Sequence, residues 1–186
     1  MTLFPRISAF FLAATVATAQ ENSQTLVVRD GSPLAEVLIA DAPEEGPGTR
    51  FQKASAEEAA KELIACIGQI SGGQLPLRRI SRSDLEATLS ERKQTRQPTI
   101  LLGSLARTWL GESDAVMRDA WTDPSGFVLV VTPEVIAIAG SQPRGTEIGV
   151  QEFLEQLGVR WFFPGPLGTV MPSRKTVGIA EQTTAQ

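Results

Sequence analysis

The chain has 186 residues, 42% hydrophobic and 20% charged, a globular composition that excludes disordered and fibrous classes and allows one domain, two at most. Its formal charge of −4, with no long Lys/Arg run, excludes the basic stripe of a nucleic-acid binder. With no His, no Tyr and 1 Cys, it cannot build Ser-His-Asp or Cys-His catalysis, a His- or Cys-cluster metal site, or an internal disulfide.

Met1 to Ala19 reads as a secretory signal peptide. Arg6 supplies the positive start, Ile7 to Val16 the apolar run, and Ala17-Thr18-Ala19 a small-x-small cleavage site, placing the cut between Ala19 and Gln20. The run falls short of the roughly 20 apolar residues that a membrane-spanning helix needs, and no second such stretch follows. The expected location is therefore secreted or periplasmic, with no membrane span. A lone Cys66 suits an oxidising compartment if it is buried or inert.

Thr25 to Arg29 and Glu36 to Ala40 are strand candidates separated by the turn signal Asp30-Gly31-Ser32-Pro33, and Pro43 to Gly48 is a loop by composition. Ser55-Ala56-Glu57-Glu58 is a capping box, with the Ser hydroxyl accepting from the Glu58 amide and the Glu58 side chain expected to reach back. Behind it Ala60, Leu63, Ile64 and Ile67 define one apolar helical face, and Gly72-Gly73 ends the helix. Leu75 to Ile80 is a short strand candidate, followed by a polar stretch, Ser81 to Arg96, with room for a helix.

Thr99 to Leu102 reads as a buried strand and Leu105 to Trp121 as weakly helical. Phe127 to Val131 and Val135 to Ala139, joined by Thr132-Pro133-Glu134, form a hairpin pattern. Gly145 opens a second helix whose Val150, Phe153, Leu154 and Leu157 repeat the apolar spacing, and Gly158 caps it. Val159 to Phe163 follows as a strand, Thr169 to Ala180 as extended chain, and Glu181 to Gln186 as a linker or frayed tail. The order predicts an α/β fold of α+β type: a single mixed sheet with two main helices packed on one face.

Four blocks, taken in order, resemble the N-terminal, non-catalytic domain of α-glucuronidases and the related domain that precedes the barrel in β-hexosaminidase-like glycoside hydrolases. They are the helix at Ala56 to Leu77, the strand PTILLGS at Pro98 to Ser104, the hairpin at Gly126 to Ser141, and Arg144 to Pro172 with its Val-Arg-Trp-Phe-Phe-Pro run. One departure is local: the family often carries an aromatic where Glu147 or Ile148 stands. The resemblance implies a β-hexosaminidase N-terminal-domain-like fold spanning residues 20–180, between the signal peptide at 1–19 and the tail at 181–186. It implies no catalytic, cofactor-binding or metal residue in this chain, since the acid/base carboxylates of these families sit on the barrel that follows, and this chain stops where such proteins run on into it.

The implied function is that of a non-catalytic accessory domain of a secreted, carbohydrate-active glycoside hydrolase, partnered by a catalytic barrel domain or a separate glycosidase chain. Two other readings stay open: a stand-alone extracytoplasmic module that binds carbohydrate or protein, and a small hydrolase that relies on carboxylates. For the latter, Glu152 and Glu155 sit three residues apart on the second helix, but its apolar face places both on the solvated side. Cys66 reads as a small buried hydrophobe. Gly140, Gly145 and Gly149 fit neither the P-loop nor the dinucleotide fingerprint and read as close helix–sheet packing, with Arg144 at the helix start as an anion candidate.

The candidate interface is Arg160, Trp161, Phe162 and Phe163. Alternation along a strand puts Trp161 and Phe163 on one face, Arg160 and Phe162 on the other. Either both faces are core, or one exposes an aromatic beside an Arg, a composition enriched at interfaces and suited to stacking on sugar rings.

Overall fold

The structure, a computed structural model, describes residues 24–42, 55–111, 115–163 and 165–186. The expected signal peptide and Ala19–Gln20 cleavage site, the expected Pro43–Gly48 loop and Pro164 lie outside the described residues. In chain order the elements are β1 (Gln24–Arg29), β2 (Ser32–Pro33), β3 (Glu36–Ala40), α1 (Ala56–Ser71), β4 (Leu77–Ile80), α2 (Leu85–Gln94), β5 (Thr99–Leu102) and α3 (Ser104–Leu110). They continue with α4 (Ala115–Ala120), β6 (Phe127–Val131), β7 (Val135–Gly140), α5 (Pro143–Gln156), β8 (Arg160–Trp161), β9 (Thr169–Val170), β10 (Val177–Ala180) and β11 (Gln182–Ala185).

The main sheet has six strands in the order β11-β6-β7-β5-β3-β4. Its centre is parallel, β4, β3, β5 and β7 running together, while β6 and β11 are antiparallel additions. The chain leaves β3 through α1 to reach β4, then doubles back through α2 past β3 to β5, so the parallel part is doubly wound. Alternate residues of each strand serve opposite faces. Ile39, Ile100, Leu102, Ile136 and Ile138 face α1 and α5, in a core with Leu63, Ile67, Val150, Phe153 and Leu157. Leu38, Leu101, Ala137 and Ala139 face the other way, against Leu85 of α2 and Leu105 and Ala106 of α3.

The expected mixed sheet with two principal helices on one face is therefore present. The structure adds two shorter helices on the opposite face and two small sheets, β10-β1-β2 and β8-β9. The residues expected as a frayed tail are corrected: Gln182–Ala185 pair antiparallel with Val128–Val131 as an edge strand. Backbone pairing, which a polar QTTA segment accepts as readily as an apolar one, recruits them to the sheet.

Local chemistry explains the element ends. Asp30 (φ 51°) and Gly31 (φ 79°) form a two-residue turn between the paired Arg29 and Ser32, the geometry of a type I′ hairpin. Ser55 Oγ accepts from the Glu58 amide at 3.1 Å, and Gly72, left-handed at φ 81°, closes α1. The Glu58 carboxylate accepts from Lys61 Nζ at 2.8 Å. Helix α5 begins at Pro143 rather than Gly145, since a proline at the first helical position loses no hydrogen bond.

Candidate functional site

The segment from Arg160 to Val170 forms a short hairpin on the end of α5. Val159 is fully buried, and the strand expected over Val159 to Phe163 contracts to two residues, Arg160 and Trp161, paired with Val170 and Thr169. Beyond Trp161 the chain bends: the Phe162 amide donates to Gly168 O at 2.8 Å, and the Gly168 amide donates to Gly165 O at 3.0 Å. Gly168 is needed there because a Cβ would lie 2.0 Å from Phe163 O. The bend cancels the alternation expected of a strand, so Phe163 does not share the face of Trp161.

The four candidate residues consequently divide. Trp161, half-buried, packs with Met171 onto the main core and anchors the hairpin. The Arg160 guanidinium donates to Glu155 O at 2.6 Å and to Val159 O at 2.7 Å, which occupies it with the carbonyls at the end of α5. Phe162 and Phe163 are 73% and 56% exposed, so neither is core. Leu167 (93%) and Val170 (53%) complete the set, and among the described residues these four are the large hydrophobic side chains left exposed. Scattered exposed apolar residues are ordinary; four gathered on one hairpin make a patch of the kind that marks interaction surfaces. The sequence reading missed Leu167 and Val170. The available signal was an apolar residue inside a Pro/Gly-rich turn, where no helical or strand period gives it a buried partner.

The other singled-out groups settle into the framework. Glu155 is exposed, and Glu152 is half-buried, accepting from Gln156 Nε2 at 2.9 Å. Cys66 is buried and free, and burial pushes its thiol up to about 11, far from a reactive thiolate. A Cβ on Gly149 would meet Ile138 Cγ2 at 2.7 Å, which confirms the close helix–sheet approach. Arg144 is held by Glu147 at 2.9 Å. Among the described residues, no three His, Cys, Asp or Glu side chains form a metal-ligating group, and no helix is long and apolar enough to cross a membrane.

Glu62 on α1 is the carboxylate that the packing strains. Burial raises its proton affinity first, the neighbouring Glu147 carboxylate raises it further, and Arg144 opposes both. A carboxyl that binds its proton more tightly folded than unfolded gives stability that is complete below the ordinary carboxylate range and is lost as pH rises through the raised value. Glu62→Gln should therefore raise the melting temperature at neutral pH and leave it unchanged in acid, where both side chains are neutral. A pair of melts at the two pH values checks this; equal shifts at both would refute the electrostatic origin.

No protein-family model matches the chain, and no curated protein sequence matches it. Eighteen chains in solved structures match its fold. One is a family GH115 4-O-methyl-α-glucuronidase with specificity for decorated arabinogalactans, similar at a TM-score of 0.55 and 15% sequence identity. The match covers 86% of this chain and 18% of that chain, so the present sequence spans less than a fifth of the enzyme's length. At this identity the likeness establishes a shared α/β fold.

Proposed function

We propose that this chain is a non-catalytic accessory domain of a carbohydrate-active glycoside hydrolase, and that the Arg160–Val170 hairpin is the face on which the catalytic domain docks. The observation that carries the reading is the gathering of Phe162, Phe163, Leu167 and Val170 in solvent on one hairpin that Trp161 holds firmly to the core. Burial of such side chains in a partner is favourable at about 25 cal/mol per Å² of apolar area. The likeness to one part of a much longer α-glucuronidase supplies the class of partner. The chemistry of the chain is compatible: without His or Tyr, its candidate acid/base groups are carboxylates and Lys, and the helical pair Glu152 and Glu155 stands on a partly solvated face.

The purified chain should release no more aryl alcohol than buffer from aryl glycosides of glucuronic acid or N-acetylglucosamine. Turnover that co-purifies with the chain and disappears on a single Asp or Glu substitution would instead establish a small carboxylate-dependent hydrolase.

A further inference from the structure

The main sheet ends on two very different edges. At one end, β4 carries the exposed Arg78 and Arg79, whose guanidiniums pair with Glu36 at 3.3 Å and Glu57 at 2.8 Å. Charged side chains on an outer strand are a common guard against pairing with another chain. At the other end, β11 reads Gln-Thr-Thr-Ala, with no charge, no proline and no bulge in its pairing with β6. That edge is unguarded.

The hydrogen-bond phase of β11 follows from the pair just beyond it. The Phe127 amide donates to Gln186 O at 2.9 Å, and the Gln186 amide donates to Phe127 O at 3.1 Å. Antiparallel ladders alternate bonded and non-bonded pairs. With Ala185 opposite Val128 and Thr184 opposite Leu129, Gln182 and Thr184 therefore turn their backbone groups toward β6, while Thr183 and Ala185 turn theirs away. Among the described residues no strand lies beyond β11, and no hydrogen bond takes up those outward amides and carbonyls.

The outward groups are symmetric about Thr184, and this symmetry selects the occupant. A second copy laid antiparallel brings its Ala185 opposite Thr183 and its Thr183 opposite Ala185. Each pair then exchanges both of its bonds, so the edge is complementary to itself, as a two-fold contact requires. Thr184 meets Thr184 of the second copy in the close, non-bonded position, where threonines pair favourably across strands. A two-fold axis also sets like charge against like, a cost for a chain of net charge −4, but none of these three residues is charged.

We propose that the chain self-associates through β11, antiparallel and edge to edge, joining two six-stranded sheets into one continuous sheet. So short an edge buries far less than the roughly 1,200–2,000 Å² of a stable interface, and the dimer is accordingly weak. The proposal stands whether or not the hairpin docks a catalytic domain.

The test is sedimentation equilibrium of the full chain from about 10 μM to about 1 mM, the range in which so small an interface forms. The average mass of the wild type should climb toward twice the monomer value. Thr183→Pro removes one outward amide and spares the pairing with β6, since an edge strand tolerates proline where its nitrogen faces solvent. It should melt near the wild type and stay monomeric throughout. A charge swap tests the register independently of proline. Thr184→Lys and Thr184→Glu, each alone, should self-associate about fivefold more weakly, the scale of like charges placed opposite each other. An equal mixture of the two should regain the wild-type strength or exceed it. Phe162→Ser with Phe163→Ser should associate like the wild type, which keeps this edge distinct from the hairpin. A monomeric wild type at the top of the range, association unchanged by Thr183→Pro, association lost with the two phenylalanines, or a mixture no tighter than its components would each overturn the proposal.

Discussion

Replacing Phe153 with alanine should lower the stability of the domain by about 3–5 kcal/mol. Phe153 is fully buried on α5, within the core that joins Leu63 and Ile67 of α1 to Ile100 and Ile138 of the sheet. Truncation removes the transfer free energy of the ring and leaves a cavity between two helices and a sheet that cannot all close in at once. The loss is large against a total margin of about 5–15 kcal/mol for a domain. Glu155, exposed two residues along the same helix, gives the contrast: its change to alanine should move stability by about 0.5 kcal/mol or less. Chemical denaturation of both variants decides the matter. Comparable losses at the two positions would mean that α5 presents a different face to the sheet.

Two glycine-to-alanine changes in helices should move stability in opposite directions. Helix propensity alone favours alanine over glycine by about 1 kcal/mol, and Gly68, inside α1, is free to show it. A Cβ there would meet only Gly73 O, at 3.9 Å, so Gly68→Ala should stabilise by about 0.5–1 kcal/mol. Gly145, in the first turn of α5, faces backbone: its Cβ would lie 2.2 Å from Gly126 O and 3.0 Å from Gly140 Cα. Neither atom can swing aside like a side-chain tip, so helix and strand must separate. Overpacking of this kind typically costs about 1–3 kcal/mol, which outweighs the propensity gain, and Gly145→Ala should destabilise. Thermal melts of the pair test the packing directly; stabilisation by both changes would mean that α5 sits farther from the sheet than described.

The parts of the fold legible in the sequence are those whose residues carry their own period. Helices α1 and α5 announce themselves through Leu63, Ile67, Phe153 and Leu157, all buried where the helical spacing puts them. The strands β3, β5, β6 and β7 are short apolar runs between turn signals, as strands buried on both faces should be. Helix α2 is fainter, because Leu85 and Thr88 are its buried residues and much of its anchoring comes from Arg92, a charged side chain reaching Glu36 and Pro98. The pairing of Gln24 with Ala180, and the recruitment of Gln182–Ala185 to β6, are long-range backbone matches with no local signature.

The sequence singles out Arg160 to Phe163 as a candidate interface, and the structure changes the geometry expected of that segment. An unbroken strand is the natural reading of Val-Arg-Trp-Phe-Phe, and the bend that exposes both phenylalanines depends on Gly168, five residues past Phe163. Leu167 and Val170 are exposed on the same hairpin, and no helical or strand period in the sequence marks them.

The docking reading is tested most directly by titrating the full chain into the catalytic domain of a glycoside hydrolase encoded in continuation with it or beside it. The wild type should bind saturably, and Phe162→Ser combined with Phe163→Ser should weaken the complex by about 30-fold or more, as removal of an interface anchor worth about 2 kcal/mol does. The melting temperature of the free double variant should stay within a degree or two of the wild type's, about the scale of a surface substitution. No association of the wild type, or equal association of the double variant, would contradict the assignment of the hairpin as the docking face.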